Sequence, residues 1–377
     1  MKHLVKKLAR SIIPPVLQNL IVKYKSRNAY PQFDLEYWSD SKENSDSKLA
    51  VMIDAFISSP DFHTTTKYWK YLLRKNLEQL SEFGLEKYGR NVARNYFTWT
   101  DLSDASISNL IHRDSAPQTV NLPILTVHNG FSVSESIKHN ILIQLLLNHI
   151  LANEAMASDL KKIESKGYIF GDHPHLDSEH GVLTLDKLSS VMEINSFAQI
   201  LAKDEAPLIL EIGAGSGRTA NALLFLHSNA KYVIADIPPA SFVAMTRLQL
   251  AFPNKRIFFA IDSYHVAKYL KSPEIWDVLF VLPSVLEAFP DKYFDLTLAI
   301  DCLHEMNSEM RTFFALTASK KSKHYFFKIW NSTTIPFDNL FLDSKNLEDY
   351  GVQPDWENSL SRECSFPSNF SEFLFKV

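Results

Sequence analysis

Cysteine is scarce: Cys302 and Cys364 are the only two in 377 residues. Two thiols make neither a disulfide framework nor a metal-ligand spacing, which excludes a stapled secreted scaffold and fits a reducing compartment. Long apolar runs are lacking as well. The most apolar stretch, 141–151, is interrupted by Gln144, Asn148 and His149, so it reads as a buried helix and not as a membrane span. There is no signal-peptide apolar core with a small-residue cleavage site, no internal repeat and no low-complexity tract. These features predict a cytoplasmic protein. A formal net charge of −4 excludes a chain that holds nucleic acid by bulk electrostatics.

Acidic residues are missing from the first 33 positions, which carry Lys2, Lys6, Lys7, Arg10, Lys23, Lys25 and Arg27. Leu4, Val5, Leu8, Ile12 and Ile13 fall at helical spacing. Pro14-Pro15 breaks the pattern, and Val16, Leu17, Leu20, Ile21 and Tyr24 resume it. Such a basic amphipathic segment (1–33) suits peripheral contact with an anionic membrane surface, or docking on the protein's own body.

What is present divides the rest of the chain. Residues 34–48 are polar and linker-like. From about 49 to 160 the apolar residues recur at helical spacing, as in Tyr68, Trp69, Tyr71, Leu72, Leu73, Leu77 and Leu80. A helical N-terminal domain over 34–165 is expected, shaping an acceptor pocket or a homo-oligomer contact. Residues 166–184 crowd Gly, Pro, Asp and His and read as a loop. Asp172, His173, His175, Asp177, Glu179 and His180 are donors that metals accept. Pro174 and the tight spacing favour a solvated substrate loop instead, with His173 and His175 as substrate contacts and no metal. After residue 185, strand-like runs at 208–212, 232–236, 256–260, 278–282, 294–300 and 324–329 alternate with helical ones. That order predicts an α/β, Rossmann-like domain with a parallel sheet over 185–377. The ending Ser371-Glu-Phe-Leu-Phe-Lys-Val alternates as a late edge strand would.

One loop carries the chemistry. The strand at 208–212 runs directly into Gly213-Ala-Gly215-Ser-Gly217 and then into a helix beginning Arg218-Thr-Ala. Glycine permits a tight turn and close backbone approach to a ligand, and the helix start offers free N–H groups. Dinucleotide loops read G-x-G-x-x-G/A, and here Arg218 occupies the place of the third glycine. Glu211 stands two residues before the first glycine. The next strand ends in Asp236, a carboxylate able to accept both hydroxyls of a ribose. Nicotinamide enzymes use that device too, so Asp236 marks a nucleoside cofactor without distinguishing which.

Glu-Ile-Gly-Ala-Gly-Ser-Gly resembles motif I of class I S-adenosylmethionine-dependent methyltransferases. Three segments together are similar to the sugar O-methyltransferases of bacterial surface-polysaccharide clusters: Leu210–Gly217, Ala235-Asp-Ile-Pro238, and Phe294-Asp-Leu-Thr-Leu-Ala-Ile-Asp-Cys-Leu-His-Glu-Met306. The likeness spans about 185–330. It implies a class I fold, S-adenosyl-L-methionine as donor and a sugar or glycan hydroxyl as acceptor. A small-molecule or lipid-linked acceptor, or a nicotinamide oxidoreductase, are the rival readings. Glu211, Gly213, Gly215, Gly217 and Asp236 would hold the cofactor. In the resembled fold the third strand ends near the adenine, where Pro283-Ser284 replaces the usual acid. Ser284 is one candidate contact and Asp262, after 256–260, the other.

Methyl transfer to an alcohol needs in-line positioning and a base. His304, just past the fourth strand, is the expected base; the run Leu303-His304-Glu305 also looks like that of small-molecule O-methyltransferases. A His that merely packs at a helix start is the alternative. Glu305 would orient that His or bind sugar hydroxyls, or simply favour a helix dipole. Asp301 would face the cofactor's ammonium, or cap a helix. Asn331, after the fifth strand, is a candidate partner for the sugar, or an ordinary loop residue.

Overall fold

The computed structural model describes residues 47–87, 107–108, 111, 132–163, 170, 173–334 and 340–377. The basic segment 1–33, nearly all of the 34–48 linker, and Asp172 lie outside these residues. Among the described residues three helices come first: α1 (Ser47–Ile57), α2 (Pro60–Thr64) and α3 (Lys67–Phe83). Pro60 opens α2, where its missing N–H costs nothing, and the Thr66 hydroxyl caps α3 by accepting from the Trp69 N–H at 3.3 Å. Helix α4 (Val133–Leu151) begins with a capping box. The Ser132 side chain accepts from the Glu135 N–H, and the Glu135 carboxylate accepts from the Ser132 N–H.

The apolar stretch 141–151 is helical, as expected, and buries Leu142, Ile143, Leu145, Leu146, Leu147 and Ile150. Helix α5 (Glu154–Lys162) follows at a 115° bend. Among the described residues no single helix is long and apolar enough to cross a membrane; α4 and α5 reach that composition only when joined across the bend. The expected loop at 166–184 contains a small hairpin, β1 (Leu176–Ser178) and β2 (Gly181–Leu183). Ser178 closes it: its hydroxyl donates to the Gly181 carbonyl and accepts from the His180 N–H.

Helix α6 (Leu185–Leu201) leads into the sheet domain. The order is then β3 (Leu208–Ile212), α7 (Arg218–Leu226), β4 (Lys231–Ala235), α8 (Ala240–Ala251), β5 (Ile257–Ala260), α9 (Ser263–Lys271), β6 (Val278–Val281), β7 (Phe294–Ile300), α10 (Ser308–Lys321), β8 (Ser322–Trp330), β9 (Ser332–Thr334), β10 (Phe341–Asp343), β11 (Glu357–Glu363) and β12 (Phe370–Lys376). The eight-stranded sheet runs β11-β12-β8-β7-β3-β4-β6-β5. Strands β3 to β8 within it are parallel; β12 is antiparallel to β8, and β11 to β12. This is the expected α/β, Rossmann-like architecture. β3 lies between β4 and β7, so the direction of strand addition reverses beside it and opens a crevice at the carboxyl ends.

Two points differ from, or sharpen, the sequence reading. The chain's final strand is not an edge: β12 lies between β11 and β8, and Phe370–Phe375 are buried. The edge is β11, whose mostly exposed Glu-Asn-Ser-Leu-Ser-Arg-Glu lacks the apolar alternation that would have announced a strand. The third place beside β4 belongs to β6, and β5 lies outside it, so Asp262 belongs to the outermost strand. Apolar side chains from α1 to α6 and from the sheet form one continuous core.

Register decides what the crevice contains. Ile212 pairs with Ala235 and Ala299, Ala235 with Val281, and Ile300 with Lys328. The residues following β3, β4, β6 and β7 therefore emerge side by side, each strand about 4.8 Å from its neighbour.

Candidate functional site

At that edge the chain turns at Gly213, whose φ is +65°. A Cβ there would come within 2.8 Å of the Cys302 Cβ, so the loop after β3 and the loop after β7 can meet only without a side chain at 213. Gly217 serves packing: its absent Cβ lets α7 approach Ala244 of α8. The middle glycine is tied to the next strand, because the Gly215 N–H donates to Asp236 Oδ2 at 2.9 Å. The Ile237 N–H donates to the other carboxylate oxygen at 2.7 Å. Burial still pushes the Asp236 carboxyl up to about 7 against these two hydrogen bonds. Gly213, Ala214, Gly215 and Asp236 line an open cleft of about 820 Å³, counting its solvent-filled mouth.

One end of the cleft is charged. Arg218, at the start of α7, swings to Glu193 of α6 in a two-pronged pair at 2.5 and 2.9 Å. Lys328 of β8 reaches the same carboxylate at 2.8 Å. Asp301 approaches both cations, 3.4 Å from Arg218 and 3.5 Å from Lys328. Burial works against the Glu193 anion, yet the two cations hold its carboxyl below the usual range. Asp301 goes the other way, raised by burial and by Glu193 despite Lys328. Its backbone is left-handed, φ +60°, a conformation that costs a non-glycine residue about 1–2 kcal/mol. It does not cap a helix; Cys302 holds that position before the short 3₁₀ turn 303–305. Arg218, Asp301, Lys328 and Glu305 all line the cleft, with Asp186 and Ser189 of α6 opposite. Burial, reinforced by Asp301, pushes the Glu305 carboxyl up to about 8.

The other end is an apolar slot of about 560 Å³, counting its open mouth, that shares Trp69, Gly213, Asp236 and Cys302 with the charged end. Ile237, Pro283, Met306, Met310 and Phe314 form its walls from the sheet side, and Thr64–Thr66 with Trp69 close it from α2 and α3. A second carboxylate, Asp61 of α2, also lines it.

The expected site residues are therefore partly gathered and partly dispersed. Gly213, Gly215, Asp236, Asp301 and Glu305 line the cleft. Glu211 stands behind it, 2% exposed, accepting from the Tyr232 hydroxyl at 2.9 Å, its carboxyl pushed up to about 7 by burial. His304 is 3% exposed and is not part of the cleft wall. Its ring packs against Trp330 and Phe370, neither nitrogen has a hydrogen-bond partner among the described residues, and burial drives its pKa down to about 3. Its Nε2 is 4.0 Å from Glu305.

Ser284 turns its N–H and hydroxyl to Asp61, leaving Pro283 on the slot wall. Asp262 is exposed and caps α9, accepting from the His265 N–H. His173 and His175 lie before β1, outside the cleft lining, with the His175 ring bonded to the His173 carbonyl. Asn331 braces the end of β8, accepting from the Ser371 hydroxyl and donating to the Ser368 carbonyl. Among the described residues no group of three or more His, Cys, Asp or Glu is arranged to hold a metal ion.

Sequence reasoning missed Asp61, Trp69, Glu193, Lys328 and the side-chain role of Arg218. Glu193 and Lys328 did leave a signal: each is a lone charge within an apolar run, Val191-Met-Glu-Ile and Phe326-Phe-Lys-Ile. Asp61 left none, since Ser-Pro-Asp reads as an ordinary helix start.

No family model matches the chain, and no curated protein matches it. Solved structures do. A SAM dependent methyltransferase from Aquifex aeolicus matches at 12% identity and TM-score 0.29, covering 52% of this chain and 99% of its own. The PH0226 protein from Pyrococcus horikoshii OT3 matches at 12% and 0.34, covering 51% and 92%. TehB from Haemophilus influenzae matches at 13% and 0.33, covering 48% and 61%.

Proposed function

We propose that the protein is an S-adenosylmethionine-dependent O-methyltransferase acting on a sugar hydroxyl. The observation that carries the cofactor is the cleft's two-ended construction around Asp236. A nucleoside needs an apolar slot and a ribose acceptor; a free amino-acid end needs both charges close together. The slot at 237, 283, 306, 310 and 314 supplies the first, and Asp301 beside Arg218 and Lys328 supplies the second. The two ends meet at Gly213 and Asp236.

When bound, the cofactor supplies an electrophilic methyl group on a sulfonium. The chain's residues do the rest. Asp236 would accept the ribose hydroxyls, Asp301 would accept from the ammonium group, and Arg218 with Lys328 would offer N–H donors to the carboxylate. The bare Gly213 turn, which lets the loops after β3 and β7 meet at Cys302, would border the cofactor where the two ends of the cleft join. With the demethylated product as leaving group, transfer of that methyl to an acceptor oxygen would require the chain to take up the hydroxyl proton. We assign its acceptance to Glu305, on the cleft wall with a carboxyl at about 8, near the operating pH where a base is most effective. His304, held neutral between aromatic rings, supports Glu305 from behind. The acceptor class rests on the resemblance of the three segments. The polar groups of Asp186, Ser189 and Glu305 around the charged end of the cleft favour it, since mixed donors and acceptors suit a ring of hydroxyls.

Calorimetric titration with S-adenosylmethionine and with its demethylated product tests the cofactor, with Asp236→Ala as control. No binding by the wild-type protein, or tight NAD(H) binding in its place, would reject the reading. Turnover against a panel of sugar nucleotides and free sugars tests the acceptor; methylation confined to non-sugar acceptors would reject that half.

A further inference from the structure

Asp61 is a buried carboxylate, 5% exposed, carried on a five-residue helix far from the sheet in sequence. Its two oxygens take three contacts from one residue. The Ser284 N–H lies 3.0 and 3.2 Å from Oδ1 and Oδ2, and the Ser284 hydroxyl donates to Oδ2 at 2.6 Å. Burial raises its carboxyl above the ordinary carboxylate value, and the hydrogen bonds from Ser284 and, less strongly, Ser59 offset part of that. The Ser284 N–H is one donor shared between both oxygens, so with the Ser284 and Ser59 hydroxyls three donors meet a carboxylate that offers about four acceptor positions, and Asp61 lines the slot. Across the strand ends the order is Gly213 after β3, Asp236 after β4 and Ser284 with Asp61 after β6. Consecutive strands about 4.8 Å apart place the backbone at Ser284, to which Asp61 is bonded, roughly 10 Å from the glycine turn, the span of a nucleoside lying across the sheet edge. Between Asp236 and Asp61 the wall is Ile237 and Pro283, apolar on the sheet side, and Trp69 of α3 lines the same slot. That is the setting for a flat heterocycle with a hydrogen-bond donor at its far rim.

We propose that Asp61 accepts a hydrogen bond from the exocyclic amino group of the cofactor's base, so that the helical N-terminal region completes the nucleoside site and selects adenine. This rests on the cofactor reading above. A keto oxygen at the same ring position would face the carboxylate with no proton between them, so hypoxanthine is rejected where adenine is held.

The test uses the full chain and two demethylated products that differ only at that ring position: S-adenosylhomocysteine and its deaminated form, S-inosylhomocysteine. Wild-type protein should bind the adenosyl form roughly tenfold tighter or more, the difference one good hydrogen bond makes. Asp61→Asn, whose amide can turn an N–H toward a keto oxygen, should erase or invert that ratio. Ser284→Ala, which keeps the carboxylate, should retain the preference. Equal affinity of wild type for the two compounds overturns the proposal without any variant. An unchanged ratio in Asp61→Asn also overturns it and leaves Asp61 as a strut between α2 and β6. Failure of wild type to bind the adenosyl form would instead overturn the cofactor reading itself.

Discussion

The two ends of the cleft hold together by opposite means. At the charged end Glu193, Arg218, Lys328 and Asp301 are mutually dependent: Glu193 and Lys328 are buried, Arg218 and Asp301 half-buried, and each charge is offset by the others. At the apolar end Ile237, Pro283, Met306, Met310 and Phe314 contribute area without requiring a partner. The first is specific and brittle, the second adaptable. A ligand with a zwitterion at one end and a flat ring at the other uses both, and changes at the two ends should fail differently.

The sharpest break is at the charged end. Glu193→Ala strands Arg218 and Lys328 without their shared anion, and unfolding by urea should show a loss of about 3–5 kcal/mol; a loss under about 1 kcal/mol would mean that the cluster is not interdependent. Glu305 lies at the same end but makes no such pair, so its replacement should spare stability and strike the reaction. Glu305→Gln should lower kcat by about 10²–10⁴-fold and remove a rising pH limb centred near 8. Persistence of that limb in the variant would assign the base elsewhere.

Where the two ends meet, Gly213→Ala forces a Cβ against Cys302 at positive φ, and thermal unfolding should report about 1–3 kcal/mol of destabilisation together with weakened cofactor binding. Asp236 sets the pH dependence of that junction. Its raised folded-state pKa means that the empty protein holds a proton there up to about pH 7, whereas hydroxyl donors require the ionised form. Affinity for the demethylated product should therefore strengthen by up to about tenfold per pH unit below 7 and level off above it. Asp236→Asn should flatten the curve. The sign for stability is the reverse. The folded state binds the extra proton between about pH 4 and 7, so this group's contribution is fully present below its unfolded pKa and is lost as pH rises through about 7. The smallest effect belongs to His304→Phe. With neither nitrogen bonded and two rings against it, the change should alter stability by less than about 1.5 kcal/mol and leave the pH limb in place; loss of the limb would restore His304 as the base.

Much of the sheet was legible because strand signals are local. The run 208–212 and the run 294–300 match β3 and β7 to the residue, and the glycine turn follows from its own spacing. β11 was not legible, since an exposed edge strand carries no alternation, and β12 was misplaced because alternation cannot say whether a strand has one neighbour or two. His304 illustrates the same limit at the site. Its position after β7 is a sequence fact, but whether the ring or the next carboxylate enters the cleft depends on the turn 303–305 and on Trp330 and Phe370 packed against it.

Local order was enough to place the parallel strands, the Gly213–Gly217 loop and Asp236, because hydrophobic period, turn chemistry and helix starts act over a few residues. Folding alone decided that Asp61 meets Ser284 across 223 positions and Lys328 meets Glu193 across 135. Such meetings depend on strand order, register and helix packing, and a buried charge takes whatever partner that assembly brings within reach.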